Sequence, residues 1–357
     1  LYCKLQAFEL LMGAESIEDA MELWDDIFPT LTLLGLGRYQ EYQYRRLLKR
    51  ADKPGILLNL GVGLMERGDY ESALSYYKRV LDIGEEKTNR YHVAASLQNI
   101  GRIHQFRGEW ELAIQHFQKS LGIAEALGNN EMAAASLHNL GAVEGARGNP
   151  GPALDYCHRS LKIRKRLGNQ KDIASTLHTI GAIHQVLGDN ENAMKQYQQS
   201  LKIREKLGDR PGLVESYINI GAIQCLNGQY QSSLEYLQSA LNLCEGLGDR
   251  AGLAEASCNI AAICIQLENY SMALGYLITA LSIFSDLESP NIKNAIQNLI
   301  GLRNRWGKRN FDTAWRQVTG DKVPTWLVDL TDEQQPYNQR TKSGSGLFSW
   351  LRKIFGR

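Results

Sequence analysis

The stretch Asn89–Gly128, NRYHVAASLQNIGRIHQFRGEWELAIQHFQKSLGIAEALG, holds the pattern that decides the fold. From Val93 to Phe106 the apolar positions are Val93, Leu97, Ile100, Ile103 and Phe106. Spacings of three to four residues predict an amphipathic helix. Gly108 interrupts it, and a second helical series follows in Ala113, Ile114, Phe117, Leu121, Ile123, Ala124 and Leu127. Gly128 terminates that series. Asn129-Asn130 then turns the chain, as Asp209-Arg210-Pro211 does in a later copy. No alternating β-branched run of strand type breaks the pattern, so the unit is two helices joined by a tight turn.

The unit recurs every 40 residues. Glycines stand at Gly61, Gly101, Gly141, Gly181 and Gly221, Ala261 takes the next place, and Gly301 follows. A second series runs through Gly68, Gly108, Gly148, Gly188 and Gly228. A third runs through Ala73, Ala113, Ala153, Ala193, Ser233 and Ala273. Leu127-Gly128, Leu167-Gly168, Leu207-Gly208 and Leu247-Gly248 mark the seams. A fixed period of this size predicts stacked supersecondary units, with a long binding surface rather than an enclosed active site. A helical glycine costs about 1 kcal/mol against alanine. Its return in each copy implies that paired helices cross closely there, with Phe117, Tyr197 and Leu237 filling the space alongside.

The order Leu97, Ile100-Gly101, His104, Ala113, Phe117, Ser120 resembles the tetratricopeptide repeat pattern of large, Leu-Gly, aromatic, Ala, aromatic, Ala. The usual proline after the second helix is missing, and a longer second helix with a Leu-Gly-Asp/Asn turn replaces it. This 40-residue form is similar to the repeats of spindle-orientation adaptors, to cyanobacterial and archaeal repeat arrays and, more loosely, to kinesin light chains. The resemblance covers roughly Ile56 to Gly301. It implies an all-α, right-handed superhelical solenoid of helix-turn-helix repeats that recognises other proteins and does no catalysis.

With 357 residues, 40 Lys and Arg against 39 Asp and Glu, and a net charge of +1, the chain has no global attraction to nucleic acid or acidic partners. No apolar run is long enough to span a membrane. The chain begins at Leu1 without Met or a signal-peptide pattern, which suggests a fragment or a processed chain. Six cysteines, none in a CxxC pair, read as small apolar fillers in a reducing, cytoplasmic setting. Pairing of Cys225 with Cys258 or Cys264 on adjacent repeats is the disfavoured alternative.

The expected organisation is a helical N-terminal cap or degenerate repeat over 1–53, six repeats over 54–288 and a capping repeat over 289–328. In the cap, helices Ile292–Trp306 and Phe311–Val318 close the core with Trp315. A flexible linker is expected over 329–346 and a short basic amphipathic helix over 347–357. On that helix Leu347, Phe348, Trp350, Leu351, Ile354 and Phe355 supply the apolar residues, and Arg352 and Lys353 flank them. It reads as a peripheral membrane anchor, a docking peptide or a tail without either role.

In the families resembled, the first helix of each unit lines the concave face. Two residues before the Gly101 register stand Asn59, Asn99, Asn139, Thr179, Asn219 and Asn259. An amide both donates and accepts, so such a ladder can hold the main chain of an extended peptide. The competing reading has each asparagine bonded to the next repeat, setting the stacking angle. Gln98, Arg102, Gln105, His138, His178 and Gln185 surround the ladder and would confer specificity. The paired Lys and Arg that would clamp a terminal carboxylate are missing, which favours an internal extended segment or a helix. His138 and His178 lack a third donor for a metal, and no cofactor is expected. No GxxxxGK[ST] occurs, and Gly61-Val62-Gly63 lies inside a repeat helix rather than after a strand. Lys162, Arg164, Lys165, Arg166, Lys202, Arg204 and Lys206 would align as a basic ridge along the second helices. With acidic residues interleaved, it reads as a solvated outer face rather than a nucleic-acid site. The sequence thus predicts a protein-interaction scaffold. Its rivals are the sensor arm of a larger signalling ATPase or protease and a membrane-peripheral adaptor.

Overall fold

The computed structural model describes residues 1–14, 16, 19–20, 23, 27, 37–48, 53–84, 90–287, 289–325 and 327–328. Among the described residues there are sixteen helices and no strand. Helices α1 (Tyr2–Gly13) and α2 (Gly37–Leu48) precede six consecutive pairs. These are α3 (Pro54–Glu66) and α4 (Tyr70–Ile83), α5 (Arg90–Phe106) and α6 (Trp110–Ala126), and α7 (Asn130–Arg147) and α8 (Pro150–Leu167). Next come α9 (Gln170–Val186) and α10 (Asn190–Leu207), α11 (Arg210–Leu226) and α12 (Tyr230–Leu247), and α13 (Arg250–Gln266) and α14 (Tyr270–Asp286). Helices α15 (Ile292–Trp306) and α16 (Lys308–Thr319) follow, the latter starting three residues before the expected Phe311.

The chain divides into two compact units, Leu1–Ile183 and His184–Arg357, each with its own core. In the first unit, first helices of successive pairs touch, α3 with α5 and α5 with α7, while α6 packs on both α5 and α7. The second unit repeats this, with α11 against α13 and α13 against α15. First helices therefore form the inner row of each unit. Phe8, Met12, Tyr44 and Leu47 from α1 and α2 close one core, and Phe311, Trp315 and Leu327 close the other. In the segment between α1 and α2, Ala20 and Ile27 are buried, and Trp24 and Phe28 lie outside the described residues.

The seams work as caps. Asn129, Asn169, Asp209 and Asp249 follow the Leu-Gly steps, and each side chain accepts the main-chain N–H three residues on, at 3.0 to 3.3 Å. This satisfies an orphan donor of the next first helix. Gly108 and Gly128, with φ of +73° and +65°, take the left-handed conformation that ends a helix. Where the Gly68-to-Gly228 series runs out, Glu268 adopts φ of +58°, at a cost of about 1 kcal/mol for a residue with a Cβ.

The glycines inside the first helices have the packing role their recurrence implies. A Cβ on Gly101 would lie 2.7 Å from the Phe117 ring, and Gly61 and Gly221 are crowded likewise by Tyr77 and Leu237. Gly301 departs from this, since nothing lies within 4 Å of its Cβ position. The six cysteines are free thiols, so Cys225 forms no disulfide with Cys258 or Cys264. Burial pushes the Cys157 and Cys258 thiols up to about 12, which makes them poor nucleophiles. No described helix is long and apolar enough to cross a membrane. Residues 329–357, with the proposed linker and the Leu347–Arg357 segment, lie outside the described residues.

Gly101→Ala should lower stability by about 1–3 kcal/mol, because the Phe117 ring must move. Gly122→Ala, in open space on exposed α6, should raise it by up to about 1 kcal/mol. Urea titrations of both variants check this, and equal effects would remove the close-crossing argument.

Candidate functional site

Which side chains the inner row leaves open depends on how its buried acceptors are met. Three acceptor pairs recur on first helices: Met132 O with Ser136 Oγ, Asp172 O with Thr176 Oγ1, and Gly212 O with Ser216 Oγ. Each pair receives one long side chain from the preceding repeat. Gln98 Nε2 donates to Met132 O at 3.1 Å and to Ser136 Oγ at 2.8 Å. Arg164 Nη1 donates to Asp172 O at 2.9 Å and to Thr176 Oγ1 at 2.5 Å. Arg204 Nη1 does the same to Gly212 O and Ser216 Oγ, at 2.5 and 3.0 Å. A glutamine on a first helix and arginines on second helices thus perform one task. Ser136 Oγ continues the first network by donating to Ser120 Oγ, which donates to Ala94 O.

Gln98, expected in the groove, is therefore a stacking residue. Gln185 is also engaged, since its Oε1 accepts from Tyr197 Oη at 3.0 Å. The basic ridge needs the same correction. Arg164 and Arg204 are buried, leaving Lys162, Lys165 and Arg166 exposed in one unit and Lys202 and Lys206 in the other. Burial was legible in the register, because Ala124, Cys244 and Phe284 occupy the equivalent positions and are buried too.

The asparagine row stands differently. Asn59, Asn99, Asn139 and Thr179 in the first unit are half-buried, as are Asn219 and Asn259 in the second. Thr179 Oγ1 donates to Ser175 O, and Asn219 Nδ2 to Glu215 O, both within their own helices. The amides of Asn59, Asn99, Asn139 and Asn259 make no hydrogen bond among the described residues. Nor do Gln105, which is half-buried, or Arg102, which is exposed. Around them Ala142, Ala182, Ala222 and Ala262 keep the surface low.

His138 and His178 lie one repeat apart in the first unit. Burial, and more weakly Arg164 and His178, pushes His138 down to about 3, so its imidazole is neutral. His138 Nδ1 is enclosed and without a hydrogen-bond partner. Elsewhere His104 pairs with Glu109 and stacks on His116, whose pKa burial lowers to about 4. His184 meets Asp189 at 3.2 Å. Among the described residues no three His, Cys, Asp or Glu side chains group so as to hold a metal.

The family model for the tetratricopeptide repeat matches residues 53–126, 93–166, 131–206, 172–245 and 212–286. The chain belongs to the tetratricopeptide repeat family. Comparison with curated protein sequences returns no match. Among solved structures, a signal transduction ATPase with numerous domains from Pyrococcus horikoshii, which carries a tetratricopeptide repeat sensor, aligns at a TM-score of 0.64. Identity is 18%, over 99% of this chain and 52% of that one. A Rap protein complexed with Competence and Sporulation Factor aligns at 0.54, with 15% identity over 88% and 98% of the two chains. Aspartyl phosphate phosphatase F from Bacillus subtilis aligns at 0.54, with 14% identity over 85% and 92%. At these identities the likeness is one of fold. As a tetratricopeptide repeat protein, the chain is a protein-interaction scaffold.

The stacking network exposes one defect. In the seam that Ser96 faces, the Gln98, Ser120 and Arg164 registers are filled by Leu58 and Val80, each one repeat earlier, and by Gly84, two repeats before Arg164, none with a polar side-chain group. Ser96 Oγ is accordingly buried without a partner. Ser96→Ala should be neutral or stabilising by up to about 1 kcal/mol, whereas Ser136→Ala should cost about 1–2 kcal/mol. Paired denaturant titrations decide this, and similar losses would dismiss the network. The histidines make a second prediction. A folded pKa below the unfolded value of about 6.5 means that stability is full above that pH. It falls below it, as the unfolded chain takes up protons the fold refuses. Between pH 6.5 and 4.5 the wild type should lose up to about 2 kcal/mol more than His138→Gln. Urea midpoints across that range test it, and parallel curves would contradict it.

Proposed function

We propose that the inner row of first helices binds an extended segment of a partner protein. The open amides of Asn59, Asn99 and Asn139 pair with its main chain, and Arg102, Gln105 and His138 set preference. In the second unit Asn259 offers the same amide. The observation that carries this reading is that these amides make no hydrogen bond among the described residues. A residue kept to set the stacking angle would be bonded to the neighbouring repeat, as Gln98 is. A half-buried amide facing a partner exchanges water for the partner's main chain and breaks no bond of the fold in doing so. The Rap protein of similar fold was solved complexed with Competence and Sporulation Factor, so a protein of this fold can take a ligand.

A random dodecamer library displayed on phage and selected on the full chain provides ligands. Peptides so obtained should bind Asn99→Ala/Asn139→Ala about tenfold or more weakly, with a melting midpoint within about 2 °C of wild type. Undiminished binding would count against the groove, and loss together with melting would assign the asparagines to stacking. A second reading, the sensor arm of a signalling ATPase, draws on the likeness to the Pyrococcus horikoshii protein with its repeat sensor. It expects an ATPase domain encoded in frame with this chain.

A further inference from the structure

Gln98 shows what its register does unaided: it reaches across and ties the next first helix. His138 comes next in that register. The acceptors it would serve, Asp172 O and Thr176 Oγ1, are already held by Arg164 from α8. His138 is thereby released from stacking while remaining in the inner row beside Asn139.

Its surroundings set what it can offer. The Nη1 bonds of Arg164 go to a carbonyl and a hydroxyl, neither charged. The carboxylate of Asp172 stands 3.9 Å from Arg164 Nε, and that Nε is buried without a hydrogen bond. Arg204, in the other unit, is answered directly, with Glu215 Oε2 accepting from Nη2 at 3.0 Å. Arg164 thus leaves more positive potential around it than Arg204 does. An imidazole N–H enclosed without an acceptor would be an unmet donor, which disfavours a proton on such a nitrogen. For His138 that is the enclosed Nδ1. The proton then resides on Nε2, which becomes an N–H donor in a positive field. On α7, Glu144 is occupied in accepting from Asn149 Nδ2 at 2.8 Å. Arg102 on α5 adds an exposed cation to the same row.

We propose that His138, backed by Arg164, is the specificity-determining residue of the inner row and selects a partner segment that carries an acidic side chain. The carboxylate accepts the imidazole N–H, and the buried guanidinium supplies the long-range attraction. This deepens the groove reading and rests on it.

The random dodecamer library again serves as the probe, selected separately on wild type, His138→Phe, His138→Leu and His138→Gln. On wild type, the peptides that need Asn99 and Asn139 should be enriched in Asp or Glu at one position. Replacing that residue by Asn or Gln in a synthetic peptide should weaken binding about tenfold in fluorescence anisotropy. His138→Gln, which keeps an N–H donor, should retain the preference. His138→Phe and His138→Leu should lose it and bind acid and amide peptides alike. Thermal melts identify any variant that fails to fold, and the acid-to-amide comparison on wild type needs no variant. Peptides that depend on Asn99 and Asn139 but show no acid preference overturn this proposal and leave the groove standing. So does an acid preference that survives in His138→Leu. An absence of peptides that depend on those asparagines overturns both.

Discussion

Stacked helices bring main-chain carbonyls and hydroxyls into seams that water does not reach, and each such acceptor must find a donor. That requirement allocates the long polar side chains of this protein. Where Gln98 fills the need, a first-helix residue is tied into the stack. Where Arg164 and Arg204 fill it, the work passes to the second helix. Ser96 faces a seam whose neighbours are apolar, and its hydroxyl stays unpartnered. A buried unpaired group costs about as much as several good contacts supply, so this allocation shapes the surface as well as the core.

The glycine crossings act at a different level. They set how near the two helices of a pair come, with Phe117 lying where a Gly101 side chain would be. The crossings need no polar chemistry and so tolerate Tyr77, Phe117, Cys157 or Leu237 on the opposite helix. The polar seams are more exacting, because a donor must reach two acceptors on one helix face. Repeats alike in their apolar frame can therefore differ in which polar side chains remain for a partner.

Much of the architecture was legible because it obeys short-range rules. The period, the two helices per unit, the Leu-Gly seams with their Asn and Asp caps, and the closing helix Ile292–Trp306 all follow from spacing and turn chemistry. The asparagine row was legible as a row. What could not be read was whether each amide was already spent. Gln98 and Gln185 look like Asn99 and Gln105 in composition, yet the first two are bonded and the last two are open. Arg164 and Arg204 sit in a run of lysines and arginines that suggests solvent, and only the buried residues at equivalent positions hinted otherwise.

By itself, then, the amino-acid sequence determined the repeat, the helix boundaries to within a few residues and the polar positions that recur along the first helices. These depend on contacts between residues close along the chain or at a fixed period. The tertiary structure alone decided which eligible side chains are free. A hydrogen bond from Arg164 to Thr176 turns on the reach and direction of one side chain across a seam. A pattern of residue types carries no record of that geometry. That bond spans twelve residues of sequence and fills the acceptor that the His138 register would otherwise serve.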